Sequence, residues 1–258
     1  MKCVKFTLSG KTAFFKKPEV NSYINFTYGH VHKMSLLGIF GAILGYDGYG
    51  QKQWKSKEKC KEKKEKLVEE FPEFYERLKD VKVSIVPQND KGYISKKVQM
   101  FNNSVGYASK EQGGNLIVKE QWLEEPKWDI YVLVTNEETE ELAKQLCEQK
   151  CVYMPYLGKN DHPADIKKTR LIDIQESQNE VVVLASLFPK ASGEISDEME
   201  PNAHSEFRYE EKLPVGLDAM TNFYLYDTFV YTNYALENLE RTVYEVDNEG
   251  KMTNLVFY

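Results

Sequence analysis

Four residues close together in the chain, Tyr28, His30, His32 and Lys33, could do acid–base chemistry as a set. An imidazole trades a proton near neutral pH, and an ammonium steadies the charge that builds on a pentacoordinate phosphate. The same residues suit plain phosphate binding. They precede an apolar stretch from Ser35 to Gly45 that reads as a helix with Ser35 as its N-cap. A helix start favours anions, yet this one has no acidic residue and is flanked by His30, His32 and Lys33. A second set is Lys11, Lys16 and Lys17 beside Phe14 and Phe15. Lysine neutralises backbone phosphate, and an aromatic ring can stack on an unpaired base. Other chemistry fails on spacing. His30 and His32 have no third metal ligand nearby, so no metal site is expected. Gly10, Lys11 and Thr12 lack the upstream glycine of a phosphate loop, and Gly45 to Gly50 leads into Gln51 and Lys52. No cofactor motif stands in the chain. Cys147 and Cys151 have three residues between them, which fits neither a redox pair nor half a zinc site.

The elements that must position these residues follow from periodicity. Lys2 to Leu8 alternates as a strand, with Val4, Phe6 and Leu8 on one face. The helix of 36–44 shows a stripe of Leu36, Leu37, Phe40, Ile43 and Leu44, with Gly38 and Gly41 on another face. A further helix carries Phe71, Phe74, Tyr75 and Leu78, restarted at Pro72. Val81 to Val86 is a strand. Residues 88–119, rich in Gly and Asn, read as a protruding hairpin. Ile130 to Val134 is a dense apolar strand. Asn136 then caps a helix with Glu137 and Glu138 in its first turn. Cys151 to Met154 is a short final strand. That order is βαββαβ, so the expectation is an α+β fold with a ferredoxin-like N-terminal domain at 1–160 and an inserted β-hairpin at about 88–119. Residues 161–258 form a smaller, mostly β C-terminal domain, with 190–205 as an acidic loop. Phe223, Tyr224, Tyr226, Phe229 and Tyr231 read as core and inter-subunit surface.

Net charge is −6 over 258 residues, which alone argues against nucleic acid. It hides a split. Residues 1–66 hold 14 lysines against 5 acidic residues, a net of +9. Eight of those lysines lie in 51–66, either a solvated helix face or a phosphate-backbone patch. The apolar stretch 34–46 is too short to span a membrane, and Lys5 and Lys11 interrupt any leader, so a cytoplasmic protein is expected.

Three segments together carry a resemblance: 6–18 (FTLSGKTAFFKKP); Thr27 and Tyr28 leading into 35–45 (SLLGIFGAILG); and 156–164 (YLGKNDHPA), with a weaker fourth at 213–217 (LPVGL). In order and spacing the chain resembles the CRISPR-associated RAMP proteins of Cas family five, closest to the type I-B branch. The resemblance implies an RNA-binding subunit of the surveillance complex Cascade. Such a subunit holds the 5′ handle of the CRISPR RNA, contacts the large and backbone subunits, and meets target DNA through the complex. It implies RNA contacts from the matching segments, Lys159 included. One branch of that family cuts precursor RNA with Tyr, Lys and His, so Tyr28, His30, His32 and Lys33 stand as the catalytic alternative. A non-catalytic binder is the first reading, a metal-independent endoribonuclease the second, and a protein-interaction subunit without RNA contact the third.

Overall fold

The structure is a computed structural model that describes residues 1–19, 23–50, 71–102, 110–112, 114, 116–199, 205–248 and 250–258. The lysine-rich run 51–66 lies outside the described residues.

Alternation in the first strand, β1 (Lys2–Ser9), sets the layering. Val4, Phe6 and Leu8 turn into the main core, while Cys3 turns into a second cluster with Leu133, Val246, Leu255 and Phe257. Lys5 and Thr7 are buried as well, and burial demands partners. Both find Asp129: Lys5 Nζ lies 2.9 Å from it, and the Thr7 hydroxyl donates to it at 2.7 Å.

In chain order there follow β2 (Thr12–Ala13), α1 (Lys33–Leu44), α2 (Glu73–Leu78), β3 (Val83–Pro87), β4 (Lys96–Asn102), β5 (Ile117–Glu124), β6 (Lys127–Leu133), α3 (Glu137–Cys147) and β7 (Asp165–Asp173). β1, β3, β6 and β7 make one antiparallel sheet in the order β3–β6–β1–β7. α1 follows the first of these strands in the chain and α3 the third. α1 packs Leu36, Leu37, Phe40 and Ile43 into the main core and ends on Gly45 at φ 81°. Its Gly41 lets α2 come close, because a Cβ there would lie 2.6 Å from Phe74 Cβ. α3 opens with the expected Asn136 cap, closed reciprocally by Thr139.

Between β3 and β6 the chain leaves the sheet as a hairpin. β4 and β5 pair antiparallel from Lys96 and Leu123 outward to Asn102 and Ile117, and β2 adds to the other edge of β5. One strand expectation is corrected. Cys151–Met154 is not the fourth strand; Asp165–Asp173 is, within the stretch that the sequence assigns to the second domain. The amides of Val152 and Tyr153 instead donate to Ile43 and Ala42 at 3.0 and 2.9 Å, closing the carboxyl end of α1.

The rest is β: β8 (Gln175–Glu176), β9 (Val182–Val183), β10 (Phe188–Pro189), β11 (Glu194–Met199), β12 (Arg208–Leu217), β13 (Tyr224–Thr232), β14 (Tyr234–Glu237), β15 (Val243–Asn248) and β16 (Lys251–Val256). They form three-stranded antiparallel sheets β10–β13–β12, β11–β14–β9 and β16–β15–β8. β11 corrects the reading of 190–205 as loop throughout. Leu187, Leu213, Leu217, Phe229 and Tyr258 join the same core as β1 and α1. Among the described residues no helix is long and apolar enough to cross a membrane.

Candidate functional site

The segments that carry the sequence resemblance converge although up to about 150 positions separate them. The Phe14 amide donates to Leu157 O at 3.0 Å, and Thr12 Oγ1 lies 2.6 Å from His162 Nδ1. Gly158, at φ 89°, lies so close that a Cβ would come within 1.9 Å of Phe14 O. On the other side of this strip, the Tyr28 amide donates to Phe15 O at 2.8 Å and the Phe15 amide to Thr27 Oγ1 at 3.0 Å. The fourth segment docks on α2, where the Leu217 amide donates to the Tyr75 hydroxyl at 2.8 Å.

Within this layer the candidate residues fall into separate groups. Lys17 reaches Glu211 Oε1 at 2.5 Å, and its Nζ stands 5.0 Å from the centre of the Tyr28 ring. Glu211 also accepts from the Gly29 amide at 2.8 Å and from the Tyr209 hydroxyl. A half-buried carboxylate is thus fully engaged, and Lys17 is its counter-ion. The Tyr28 hydroxyl donates to that of Tyr226 at 3.2 Å, and Tyr226 in turn donates to Glu19 at 2.7 Å. Burial, then the Tyr226 hydrogen bond, hold the Tyr28 phenol far above its ordinary range.

His32 corrects the reading of Ser35 as N-cap. His32 is the cap: its Nδ1 accepts from the Ser35 amide at 3.3 Å, and its Nε2 lies 3.0 Å from Ser35 Oγ. The rings of Phe15, Tyr28 and Tyr224 surround it. The amide of the first turn that sequence reasoning reserves for a phosphate is therefore taken by an imidazole. His30 faces elsewhere, accepting from Trp128 Nε1 at 3.1 Å and standing edge-on to Tyr209. Burial holds both imidazoles neutral, with pKa lowered to about 3. Lys33 is buried in another direction, toward Asp80, Lys82 and Arg241. Burial lowers its pKa to about 8, with Lys82 adding to the effect. The four residues of the catalytic set thus do not face one space.

Phe14 is buried under Lys159, whose Nζ lies 5.7 Å from its ring centre and 5.3 Å from that of Phe101. Lys159 is chelated by both oxygens of Glu120 at 3.1 and 3.2 Å. Lys11 and Lys16 are exposed. Of the aromatic residues read as core and inter-subunit surface, Phe229 is buried, whereas Phe223, Tyr224 and Tyr226 are exposed near the β12–β13 turn. Among the described residues no group of three or more His, Cys, Asp or Glu is placed to hold a metal.

Sequence reasoning missed Glu211 and Tyr209, which organise the Lys17 end, and a cavity beside His30 lined by Lys91, Tyr93, Lys96 and Arg208. The alternation of Arg208 and Glu210 against Tyr209 and Glu211 marks a two-faced strand, but nothing in it says which lysine Glu211 meets.

No protein-family model and no curated protein matches the chain. Solved structures do. A chain of the "CRISPR RNA-guided surveillance complex" superposes with TM-score 0.50 at 13% identity, covering 90% of each chain. A CRISPR protein from Archaeoglobus fulgidus gives 0.48 at 10% identity over 99% of each chain. A chain of the type III-B Cmr-beta complex bound to cognate target RNA gives 0.47 at 9% identity, covering 92% of this chain and 86% of that one. At such identities the first likeness speaks for fold alone: the chain has the fold of a CRISPR-associated protein, in keeping with the RAMP-like segments of its sequence.

Proposed function

We propose that the chain is an RNA-binding subunit of a type I CRISPR antiviral surveillance complex (Cascade) in the cytoplasm. It holds the 5′ handle of the CRISPR RNA, contacts the large and backbone subunits, and meets target DNA through the complex. The four-stranded sheet with α1 and α3 is read as a ferredoxin-like RAMP domain, and the β4–β5 hairpin as its thumb. The observation that carries this reading is the fold shared with a chain of the surveillance complex across 90% of both chains. The convergence of the resemblance-bearing segments into one layer supports it.

The chain acts by binding rather than cutting. A cleaving set needs a base that can reach the ribose hydroxyl and a cation at the same phosphate. Tyr28, His30, His32 and Lys33 are between 0% and 8% exposed, and the two imidazoles have different partners. Incubation of the purified chain with repeat RNA in EDTA should give no specific product. Cleavage lost on Tyr28→Phe would replace the binding reading by the nuclease one.

Binding itself is tested on Lys11 and Lys16, the exposed members of the basic cluster. Lys17 is a poor probe, because its removal strands Glu211. Changing both Lys11 and Lys16 to Ala should weaken binding of RNA bearing the 5′ handle. It should also flatten the log–log salt slope by about 0.7 per lost contact. An unchanged slope would take these lysines out of the interface.

A further inference from the structure

A cavity of about 370 Å³ opens where three distant segments meet: Gly29 and His30, Lys91 to Lys96, and Phe207 to Tyr209. Among the described residues three cationic side chains, Lys91, Lys96 and Arg208, line it, and no carboxylate does. The neighbouring anions are already occupied. Glu211, which favours the charge on Lys96, is bound by Lys17, the Gly29 amide and Tyr209. Glu210 takes Arg208 and Lys190, each at 3.0 Å. Among the described residues neither Lys91 nor Lys96 has a carboxylate within salt-bridge distance. Lys91 and Lys96 thus line the cavity without an ion-pair partner among the described residues, while Arg208 reaches it paired with Glu210.

The wall also holds a donor with nothing to bind. Trp128 Nε1 donates to His30 Nδ1, so the ring hydrogen of the neutral imidazole sits on Nε2. That Nε2 is buried and has no partner. An unmet buried donor is costly and calls for an acceptor. At the rim Tyr93 is 72% exposed, a ring face open to solvent beside the cations. The turn that presents it, with Lys91 at φ 51° and Gly92 at φ 69°, is seated by Gly92 against Tyr231, where a Cβ would lie 2.5 Å from the ring.

We propose that this cavity holds one phosphate of the RNA strand, its oxygens facing Lys91, Lys96, Arg208 and the His30 Nε2–H, with the adjoining base stacked on Tyr93. The proposal rests on the RNA-binding reading and names the place where it is anchored. An acceptor oxygen satisfies the stranded imidazole donor, the cations neutralise the charge, and an aromatic face beside a phosphate site is how unpaired strands are held.

The test uses the full chain with 15N-labelled histidine, titrated with the 5′-phosphorylated dinucleotide pUpU and, in a parallel arm, with inorganic phosphate. The His30 imidazole resonance should shift saturably with pUpU, and phosphate should compete about tenfold more weakly, as expected for one lost stacking contact. Lys91→Glu with Lys96→Glu, both at the cavity mouth, should weaken pUpU at least tenfold while leaving the urea midpoint unchanged. Tyr93→Ala should bring pUpU down to the affinity of phosphate. A His30 resonance unmoved by pUpU, or pUpU affinity untouched by the double charge reversal, overturns the proposal. If phosphate binds as tightly as pUpU and Tyr93→Ala is silent, the occupant is a free oxyanion and the RNA assignment falls. The two readings fail separately. Handle RNA bound equally by the double variant sinks the cavity and leaves the subunit reading. A cavity that titrates in a chain unable to bind any longer RNA sinks the subunit reading.

Discussion

His30 and His32 are kept neutral by burial down to about pH 3, whereas the same rings in an unfolded chain protonate near 6.5. Between those values the unfolded state binds more protons than the folded one. Stability therefore rises with pH across the window and is lost as pH falls below about 6.5. Each imidazole contributes a slope of at most about 1.4 kcal/mol per pH unit. The urea midpoint should fall steadily from pH 6.5 to 4.5. His32→Asn can still cap α1 and should remove the His32 share of that slope. A variant with the wild-type slope would show that His32 is not shielded. This is also the scale at which sequence reasoning misleads most. His-rich, Lys-rich spacing looks like acid–base chemistry, but neither burial nor the choice of partner is written in spacing. His32 became a cap and His30 a wall of a cavity, because Phe15, Tyr28, Trp128 and Tyr209 close around them.

Elements with a strong local pattern were legible: β1 and α1 from apolar periodicity, α3 from Asn136 and its acidic first turn, and the hairpin from the Gly- and Asn-rich composition of 88–119. β7 was not placed in this sheet: all its residues are half-buried or exposed, the pattern of a half-covered edge strand, and it lies beyond 160, where the mostly β second part is expected to begin. The apolar run Val152 to Met154 drew the assignment instead, yet it lies exposed at the end of α1. The anion cavity had no signature, since its walls come from residues near 30, 93 and 208. Glycines test the element-scale account in opposite directions. Gly38 has nothing within 4 Å of the place where an alanine methyl would stand, whereas Gly41 would meet Phe74. Gly38→Ala should raise stability by about 1 kcal/mol through helix propensity alone. Gly158→Ala combines φ 89° with a methyl driven into the Phe14 carbonyl, and should cost more than about 2 kcal/mol. Urea denaturation of the pair checks both signs. A neutral Gly158→Ala would mean that the 156–163 loop is not seated on Phe14.

For the whole molecule, the described part of the basic N-terminal segment and the chain beyond it are not two separate bodies. One core joins β1 and α1 to Leu213, Leu217, Phe229 and Tyr258, so β12 lends Glu211 to the basic segment. What projects from this body is the outer half of the β4–β5 hairpin. Its base is anchored by Ile94 and Leu123, both buried, and by the Lys159–Glu120 pair. Beyond Gln99, which faces Glu120 across the ladder, Met100, Leu116 and Ile117 are each more than half exposed. Apolar side chains held out on a paired ladder contribute little to the fold and suit contact with a neighbouring chain. Replacing residues 100–119 by Asn-Gly would close Gln99 and Glu120 over a two-residue turn of the type hairpins favour. The shortened chain should keep its urea midpoint to within about 1 kcal/mol, because the core and the hairpin base stay intact. Co-expressed with the other subunits and a CRISPR RNA, it should fail to enter the complex. Normal assembly of the shortened chain would show that the hairpin is no clamp. A large loss of stability would place it in the fold rather than at an interface.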